Sequence, residues 1–485
     1  MSDSDQNIIT KKVVFGSLWV YLDKLITQLV TFSVSIILAR ILSPEIYGTI
    51  ALVTIFITIA DVFVSSGFGN SLIQKKMPDE TDYSTALISG IVMAVVVYAL
   101  LYSTAPIISK FYSRDELTLI VRVMAIRVIF AAVNSIQRAY IQKQFDFKVI
   151  FITGFTSSLL SGILGIFMAL RGYGVWSLVS QNLAQSVIIT IFLGISSGLK
   201  PNCKFSFSRL CPMFSFGWKI LLVNLTDIIY ANLGGLFIGK IYSSADLAYY
   251  NRGNQLPQLV VENINSTINT VIFPVLSNVQ DDLVNIKAIT RNSIKISMFL
   301  LSPLLVGLAV CAEPIIELLL TEKWAKCTIY VQILCIVYLS MPINSINQLV
   351  MNSLGRSDIF LGIGILKKIL GIITIFVSII LFDGPISIAL AALIGSPLVC
   401  FINMYPNKKL INYSIIEQCT DVLPSIILSI LMGLLVYFIG KFSLVTPMRL
   451  CLQIVIGGFF YIGSAMLFRL KEVSKILETL RGFKN

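Results

Sequence analysis

Histidine is absent from all 485 residues. That removes the side chain that most often serves as general base, metal ligand and proton shuttle near neutral pH. The eight cysteines never form a Cys-x-x-Cys pair, so no zinc ribbon or dithiol redox motif is present. A phosphate loop is missing as well: Gly440-Lys441 has Leu435 where the first glycine of that motif would stand. Hydrolysis of ATP by this chain is therefore not expected, and neither a cofactor nor a metal site is indicated. Charge is scarce too. Asp, Glu, Lys and Arg make up 13% of the chain, against roughly 25% in a soluble domain. Long hydrophilic stretches are also lacking, and no link between apolar runs exceeds about 15 residues. A membrane glycosyltransferase would need an aqueous domain for its sugar donor, and a polysaccharide polymerase a large outer loop. Both readings lose support, and no constellation of side chains argues for an enzyme.

What fills the chain instead is apolar sequence. Hydrophobic residues amount to 56%, and mean hydropathy is +0.86. A membrane helix needs ~20 mostly apolar residues to cross ~30 Å of hydrocarbon. Fourteen runs meet that length: 14–40, 46–73, 84–109, 117–140, 148–170, 173–196, 214–240, 247–277, 292–318, 327–353, 359–382, 385–404, 421–440 and 447–468, here spans one to fourteen. No water is available there to satisfy backbone groups, so each run is expected to be a helix. The fold class is therefore an all-α integral membrane protein. Span one is too long for a signal peptide and carries Asp23 and Lys24, so it is expected to be retained.

Orientation follows from Lys and Arg in the short links. With the N-terminus in the cytoplasm, the inner segments hold Lys11, Lys12, Lys75, Lys76, Arg138, Lys143, Lys148, Lys200, Lys204, Arg209, Lys287, Arg291, Arg356, Lys408 and Lys409. The C-terminal tail adds Arg469, Lys471, Lys475, Arg481 and Lys484. The outer segments hold Arg40, Lys110, Arg114, Arg171, Lys240, Lys323, Lys326, Lys441 and Arg449. The bias, about two to one, predicts both termini inside. The net charge of +12 is thus a topology signal rather than a nucleic-acid patch, with membrane lipid as a contact of the basic tail.

Several charges remain inside the spans, where each costs roughly 2.5–3.5 kcal/mol at the centre of a helix on insertion scales. Lys24, Asp61, Arg127, Asp227, Glu262, Lys367 and Lys368 lie deepest, and Arg252 lies nearer a span end. Helical spacing aligns polar partners with them. Ser17, Lys24, Thr27, Gln28, Thr31 and Ser35 share a face of span one. Thr58, Asp61 and Ser65 do so on span two, and Arg127, Asn134 and Arg138 on span four. Span eight carries Gln255, Gln258, Glu262, Asn265, Ser266 and Asn269. Span eleven carries Lys367, Gly371, Thr374 and Ser378. One such stripe can be interhelical hydrogen bonding, worth about 0.6–2 kcal/mol per pair. Five together predict a shared wet cavity. Its Lys and Arg suit an anionic substrate, above all phosphate or pyrophosphate. Lys24, Gln28, Arg127, Arg252, Gln255, Gln258, Asn265, Lys367 and Lys368 are the candidate substrate ligands; Asp61, Asp227 and Glu262 are the candidate ion-coupling groups.

An internal repeat accompanies the stripes. Ile36-Ile37-Leu38-Ala39-Arg40-Ile41-Leu42-Ser43 resembles Leu236-Phe237-Ile238-Gly239-Lys240-Ile241-Tyr242-Ser243, at an offset of 200 residues. Six spans lie between, as in a duplicated six-helix transporter unit. The expected organisation is a six-helix lobe at 1–205, a second at 206–410, and two further spans with a basic tail at 411–485.

The runs LARILSPEIYGTIALVTIF and GNSLIQKK (69–76), GYGVWSLV (172–179), YNRGNQLPQ (250–258), FPVLSNVQDD (273–282), EKW (322–324) and VQIL (331–334) occur in an informative order. Over about residues 10–405 the chain resembles the Wzx-type and teichuronic-acid-exporter-like flippases of the multidrug/oligosaccharidyl-lipid/polysaccharide superfamily, which are MATE-like. One departure is that Ser65-Ser66-Gly67 stands where relatives often carry Asp-x-Gly, with Asp61 one turn earlier. The resemblance implies two six-helix lobes around a central cavity and a polyprenyl-pyrophosphate-linked oligosaccharide as cargo. It also implies a bacterial inner membrane, with polysaccharide polymerase and co-polymerase proteins among the partners. A MATE-like multidrug exporter, which favours cationic cargo, and an assembly scaffold are the alternatives.

Overall fold

The computed structural model describes residues 19–20, 22–65, 67–199, 202, 204–442, 445–470 and 472–473, with the backbone alone at Asn269. Lys11, Lys12, Ser17, Ser66, Lys200, Lys471, Lys475, Arg481, Lys484 and the Asn269 side chain lie outside the described residues. Among those described there is no strand, and 14 helices are long and apolar enough to cross a membrane. In order they are Asp23–Ile41, Pro44–Gln74, Glu80–Tyr112, Glu116–Lys143, Phe147–Leu170, Val175–Ser197, Phe207–Ile241, Ser244–Asn278, Leu283–Val310, Cys327–Ser353, Ser357–Leu381, Ser387–Leu410, Ile415–Ile439 and Thr446–Leu467.

Helix starts follow from capping chemistry. Asp79 accepts from the Asp82 backbone N–H at 2.8 Å while the Asp82 carboxylate takes the Asp79 N–H at 2.9 Å, closing a reciprocal cap on span three. Ser414 and Glu417 do the same for span thirteen. Span one opens on a π-turn, Asp23–Thr27. Spans two, four and ten are each interrupted, at Gly67, Ala125 and Leu339-Ser340. Span nine departs from expectation. It begins at Leu283, not 292, and ends at Val310, before a separate short helix, Ala312–Leu320. Lys287 and Arg291, read as link residues, are helical, and each is neutralised by an acid on span thirteen.

Packing divides the chain into two units, Met1–Ala248 and Tyr249–Asn485. In the first, span five buries Ser157, Ser158, Ser161, Gly162, Gly165 and Ala169. Small side chains let helices approach closely where lipid supplies no hydrophobic drive between them. Phe68, Leu72, Tyr83, Ile136 and Met213 join spans two, three, four and seven. In the second unit Leu276, Ile294, Ile346, Met404, Tyr413 and Val422 form one core. Phe299, Leu428, Met432 and Tyr461 form another, which holds spans thirteen and fourteen against span nine.

The two repeated segments fold alike. The Leu42 N–H donates to Leu38 O at 2.8 Å, and the Tyr242 N–H to Ile238 O at 2.9 Å. Each helix then breaks for two residues before span two or span eight begins. There Gly48 lies against the Ser244 backbone carbonyl so closely that a Cβ would overlap it.

Candidate functional site

The deep charges of the first unit are not isolated. Arg127 is the second residue of the second segment of span four, Ile126–Lys143, just past its interruption, and reaches Asp61 of span two at 3.3 Å. The two side chains are 32% and 19% exposed, so the pair is accessible but far from open water. Arg127 also donates to Asn182 Oδ1 of span six at 3.5 Å. Asp61 Oδ1 is buried and receives no hydrogen bond. A residue expected to bind substrate and one expected to couple an ion thus form one charged unit, with an acceptor oxygen to spare. Pairing is the physical condition for keeping either charge at this depth.

Farther along the same faces, Thr190 donates to Asn134 Oδ1 at 2.8 Å and Gln137 donates to Thr190 O at 3.3 Å. Gln185 reaches Ser158 Oγ at 3.3 Å. Asn182, Gln185 and Thr190 of span six were not singled out by sequence. Their spacing of three and five residues was the available signal, diluted by flanking apolar residues. Lys24 and Gln28 lie half-buried on span one. Beside Lys24, Asp23 accepts from Thr27 at 3.0 Å, and a Cβ on Gly154 of span five would come within 2.9 Å of its Oδ1. Asp227 lies on an exposed face of span seven.

In the second unit the span-eight stripe forms short relays along its own helix. Arg252 donates to Gln255 Oε1 at 2.7 Å, Asn254 to Gln258 Oε1 at 3.3 Å, and Gln258 to Glu262 Oε1 at 2.6 Å. Glu262 is exposed, whereas Asn265 is buried and donates to Ser345 of span ten at 2.7 Å. Arg252 also stacks over Trp324 at 5.7 Å, and Tyr249 meets the same indole edge-on. The YNRGNQ and EKW motifs, distant in sequence, are therefore one cluster. Lys367 and Lys368 lie half-buried on span eleven.

The hydroxyls of the stripes behave differently from the charges. Thr58 and Ser65 bond the carbonyls of Thr54 and Asp61, each at 2.7 Å, and Thr374 bonds Gly371 O at 2.9 Å. Such back-bonding satisfies a hydroxyl without a neighbour. Ser378 is fully buried and bonds Ser387 O at 2.5 Å, fixing the start of span twelve. Polar periodicity on spans two and eleven is thus partly self-satisfied.

This arrangement sets a labelling prediction. In a background lacking the native cysteines, Glu262→Cys and Gln258→Cys are expected to react with a membrane-impermeant thiol reagent, while Asn265→Cys and the fully buried Val261→Cys stay protected. Protection at all four positions would place the stripe against lipid or a dry helix.

The family described as "Polysaccharide biosynthesis protein" matches residues 37–329. The chain is 27% identical over 356 residues to the teichuronic acid biosynthesis protein TuaB of Bacillus subtilis (strain 168), covering 72% of this chain and 73% of that protein. It is 23% identical over 407 residues to the lipopolysaccharide biosynthesis protein WzxC of Escherichia coli (strain K12), covering 81% and 80%. Among solved structures it resembles the lipid II flippase MurJ in an inward closed conformation, with a TM-score of 0.73 at 16% identity over 94% of this chain and 99% of that one. An inward-facing MATE multidrug transporter of the MOP superfamily gives 0.64 at 14% identity, over 81% and 98%. The fold is thus that of the all-α MOP transporters, and since the matched segment spans more than half of the 485 residues, the chain belongs to the polysaccharide biosynthesis protein family.

Proposed function

We propose that this protein is a flippase that moves polyprenyl-pyrophosphate-linked oligosaccharide repeat units across a bacterial inner membrane. The repeat units would serve O-antigen, capsule, exopolysaccharide or teichuronic acid assembly. The observation that carries the reading is family membership joined to a fourteen-helix architecture that follows MurJ over 94% of the chain. MATE transporters share the fold, so the fold by itself does not choose between sugar and drug; the polysaccharide relatives favour sugar. In this reading the chain catalyses no covalent step, both termini are cytoplasmic, and polymerase and co-polymerase proteins take up the product. The lobes 1–205 and 206–410 are the duplicated units, and 411–485 is the addition.

The charged groups inside the spans are assigned to the cargo and to its drive. Lys24, Arg127, Arg252, Lys367 and Lys368 serve the pyrophosphate. Gln28, Gln255, Gln258 and Asn265 serve sugar hydroxyls, and Asp61, Asp227 and Glu262 serve ion coupling. Lacking ATP machinery, transport draws on an ion gradient, the membrane potential or consumption of product.

The test is leaflet-resolved detection of a labelled lipid-linked oligosaccharide in vesicles with and without the purified protein. Accelerated appearance in the opposite leaflet is expected. A rate equal to that of protein-free vesicles, alongside uptake of a cationic dye by the same preparation, would favour the drug-exporter reading.

A further inference from the structure

Two ion-pair seams occupy corresponding places in the two halves of the chain. In the first, Arg209 at the start of span seven pairs with Asp79 and, at 3.2 Å, with Asp82 at the start of span three. Lys75 reaches Asp82 at 2.7 Å. In the second, Lys287 of span nine meets Glu417 of span thirteen at 3.0 Å. Arg291 Nη2 and Lys295 Nζ meet Asp421 at 2.8 and 2.9 Å. The Asp79–Arg209, Lys287–Glu417 and Arg291–Asp421 pairs are each separated by 130 residues. In the repeat, three and nine are equivalent spans, and seven and thirteen are the spans that follow each six-helix unit. The geometry recurs, but the signs are exchanged. The third helix of the first repeat is acidic and its docking helix basic. The third helix of the second repeat is basic and its docking helix acidic.

We infer that this reversed polarity specifies which late helix docks on which repeat. Apolar helices in lipid gain no hydrophobic discrimination from one another, and related repeats offer related surfaces. Span seven and span thirteen therefore need something other than greasiness to tell spans three and nine apart. Charge supplies it. Span seven on span nine would set Arg209 against Lys287 and Arg291. Span thirteen on span three would set Glu417 and Asp421 against Asp79 and Asp82. The carboxylates at the two centres, Asp82 and Asp421, are 1% and 3% exposed, so water screens the acid-on-acid mismatch little, while the cation-on-cation mismatch, at side chains 26–42% exposed, is the weaker of the two. Discrimination by repulsion against the wrong partner is a general device wherever two partners are alike. The inference rests on the repeat and the seams alone and is independent of the cargo.

Disulfide trapping in the full chain, with the native cysteines replaced by serine, tests it. Ser302→Cys with Ser429→Cys reports the docking of span thirteen on span nine, because the two hydroxyl oxygens lie 2.8 Å apart. One variant reverses the whole second seam: Lys287→Glu, Arg291→Glu, Lys295→Glu, Glu417→Lys and Asp421→Arg. Every local pair stays matched, yet both seams now have the same polarity. Trapping is expected to fall about threefold or more. A second variant adds reversal of the first seam, with Lys75→Glu, Asp79→Arg, Asp82→Arg and Arg209→Asp. Opposite polarity is restored, and trapping is expected to return to the parent level. Trapping by the one-seam variant equal to the parent overturns the inference, since the pairs then only stabilise. A loss that the second reversal does not repair, in trapping or in protein level, overturns it as well, because it marks a seam that merely packs badly.

Discussion

Asp421→Ala is expected to unfold the second unit more readily than any other single charge removal. Its carboxylate is nearly fully buried and collects Arg291, Lys295 and the Tyr413 hydroxyl, the last at 2.8 Å. Burial, reinforced by the adjacent Asp421 carboxylate, pushes the Tyr413 phenol far above its ordinary range, so it remains a donor at any physiological pH. Removing the acid leaves the buried Tyr413 hydroxyl without its acceptor and two partly exposed cations, 42% and 27%, without their partner. Because the cations keep part of their water, the cost lies at the lower end of the about 3–5 kcal/mol for breaking a buried pair. Asp421→Asn keeps the shape and part of the hydrogen bonding, and should lose less. Glu417→Ala, at a side chain 38% exposed, loses a screened pair and half of the span-thirteen cap, together about 1–2 kcal/mol. Thermal denaturation in detergent ranks the three variants. Equal midpoints for Asp421→Ala and Glu417→Ala would show that the hub does not carry the stability assigned to it.

The second large effect concerns transport. Arg127→Ala is expected to slow flipping by about tenfold or more, as loss of one charge-assisted phosphate contact would, in protein that still inserts. The observed pairing with Asp61 makes the double variant decisive. If Arg127 serves only to neutralise Asp61, Asp61→Ala with Arg127→Ala should regain transport, since no orphan charge remains. If Arg127 holds the pyrophosphate, or Asp61 couples an ion, the double variant should regain thermal stability but not transport, so only recovery of transport separates bare neutralisation from the two assigned roles. The second outcome is expected, read as flipping rate and melting midpoint on the same preparations. Recovery of both would remove Arg127 from the substrate ligands.

The number of spans was legible because hydropathy reports on solvent, and a bilayer imposes that signal locally. The depth of Asp61 and Arg127 was legible for the same reason. Their partnership was not. They lie 66 positions apart in sequence, and nothing in either stripe points to the other helix. Lys287 and Arg291 misled because a cation looks alike in a link and in the second or third turn of a helix; only Glu417 and Asp421 tell the two apart. Asn265 shows the limit of a helical wheel. It follows Glu262 by three residues, yet that rotation turns it from an exposed face into the contact with span ten. The amides of spans ten, twelve and thirteen escaped notice altogether. Asn347 takes a hydrogen bond from Asn407 at 2.5 Å and gives one to Gln418 at 2.9 Å, all three fully buried. Such amides hold helices together in lipid, and in sequence they resemble a binding stripe.

The two-residue breaks at Leu42-Ser43 and Tyr242-Ser243 govern something that no single contact reveals. A helix turns about 100° per residue, so the length of each break sets the rotational phase of everything downstream of it. One extra residue ahead of Pro44 would swing Asp61, a little under five turns away at about 3.6 residues per turn, off the face that meets Arg127. The absent side chain at Gly48, pressed on the Ser244 carbonyl, leaves no slack to absorb such a shift. The break works as an index mark: its brevity keeps a half-buried carboxylate aimed at a guanidinium that the chain supplies only two helices later.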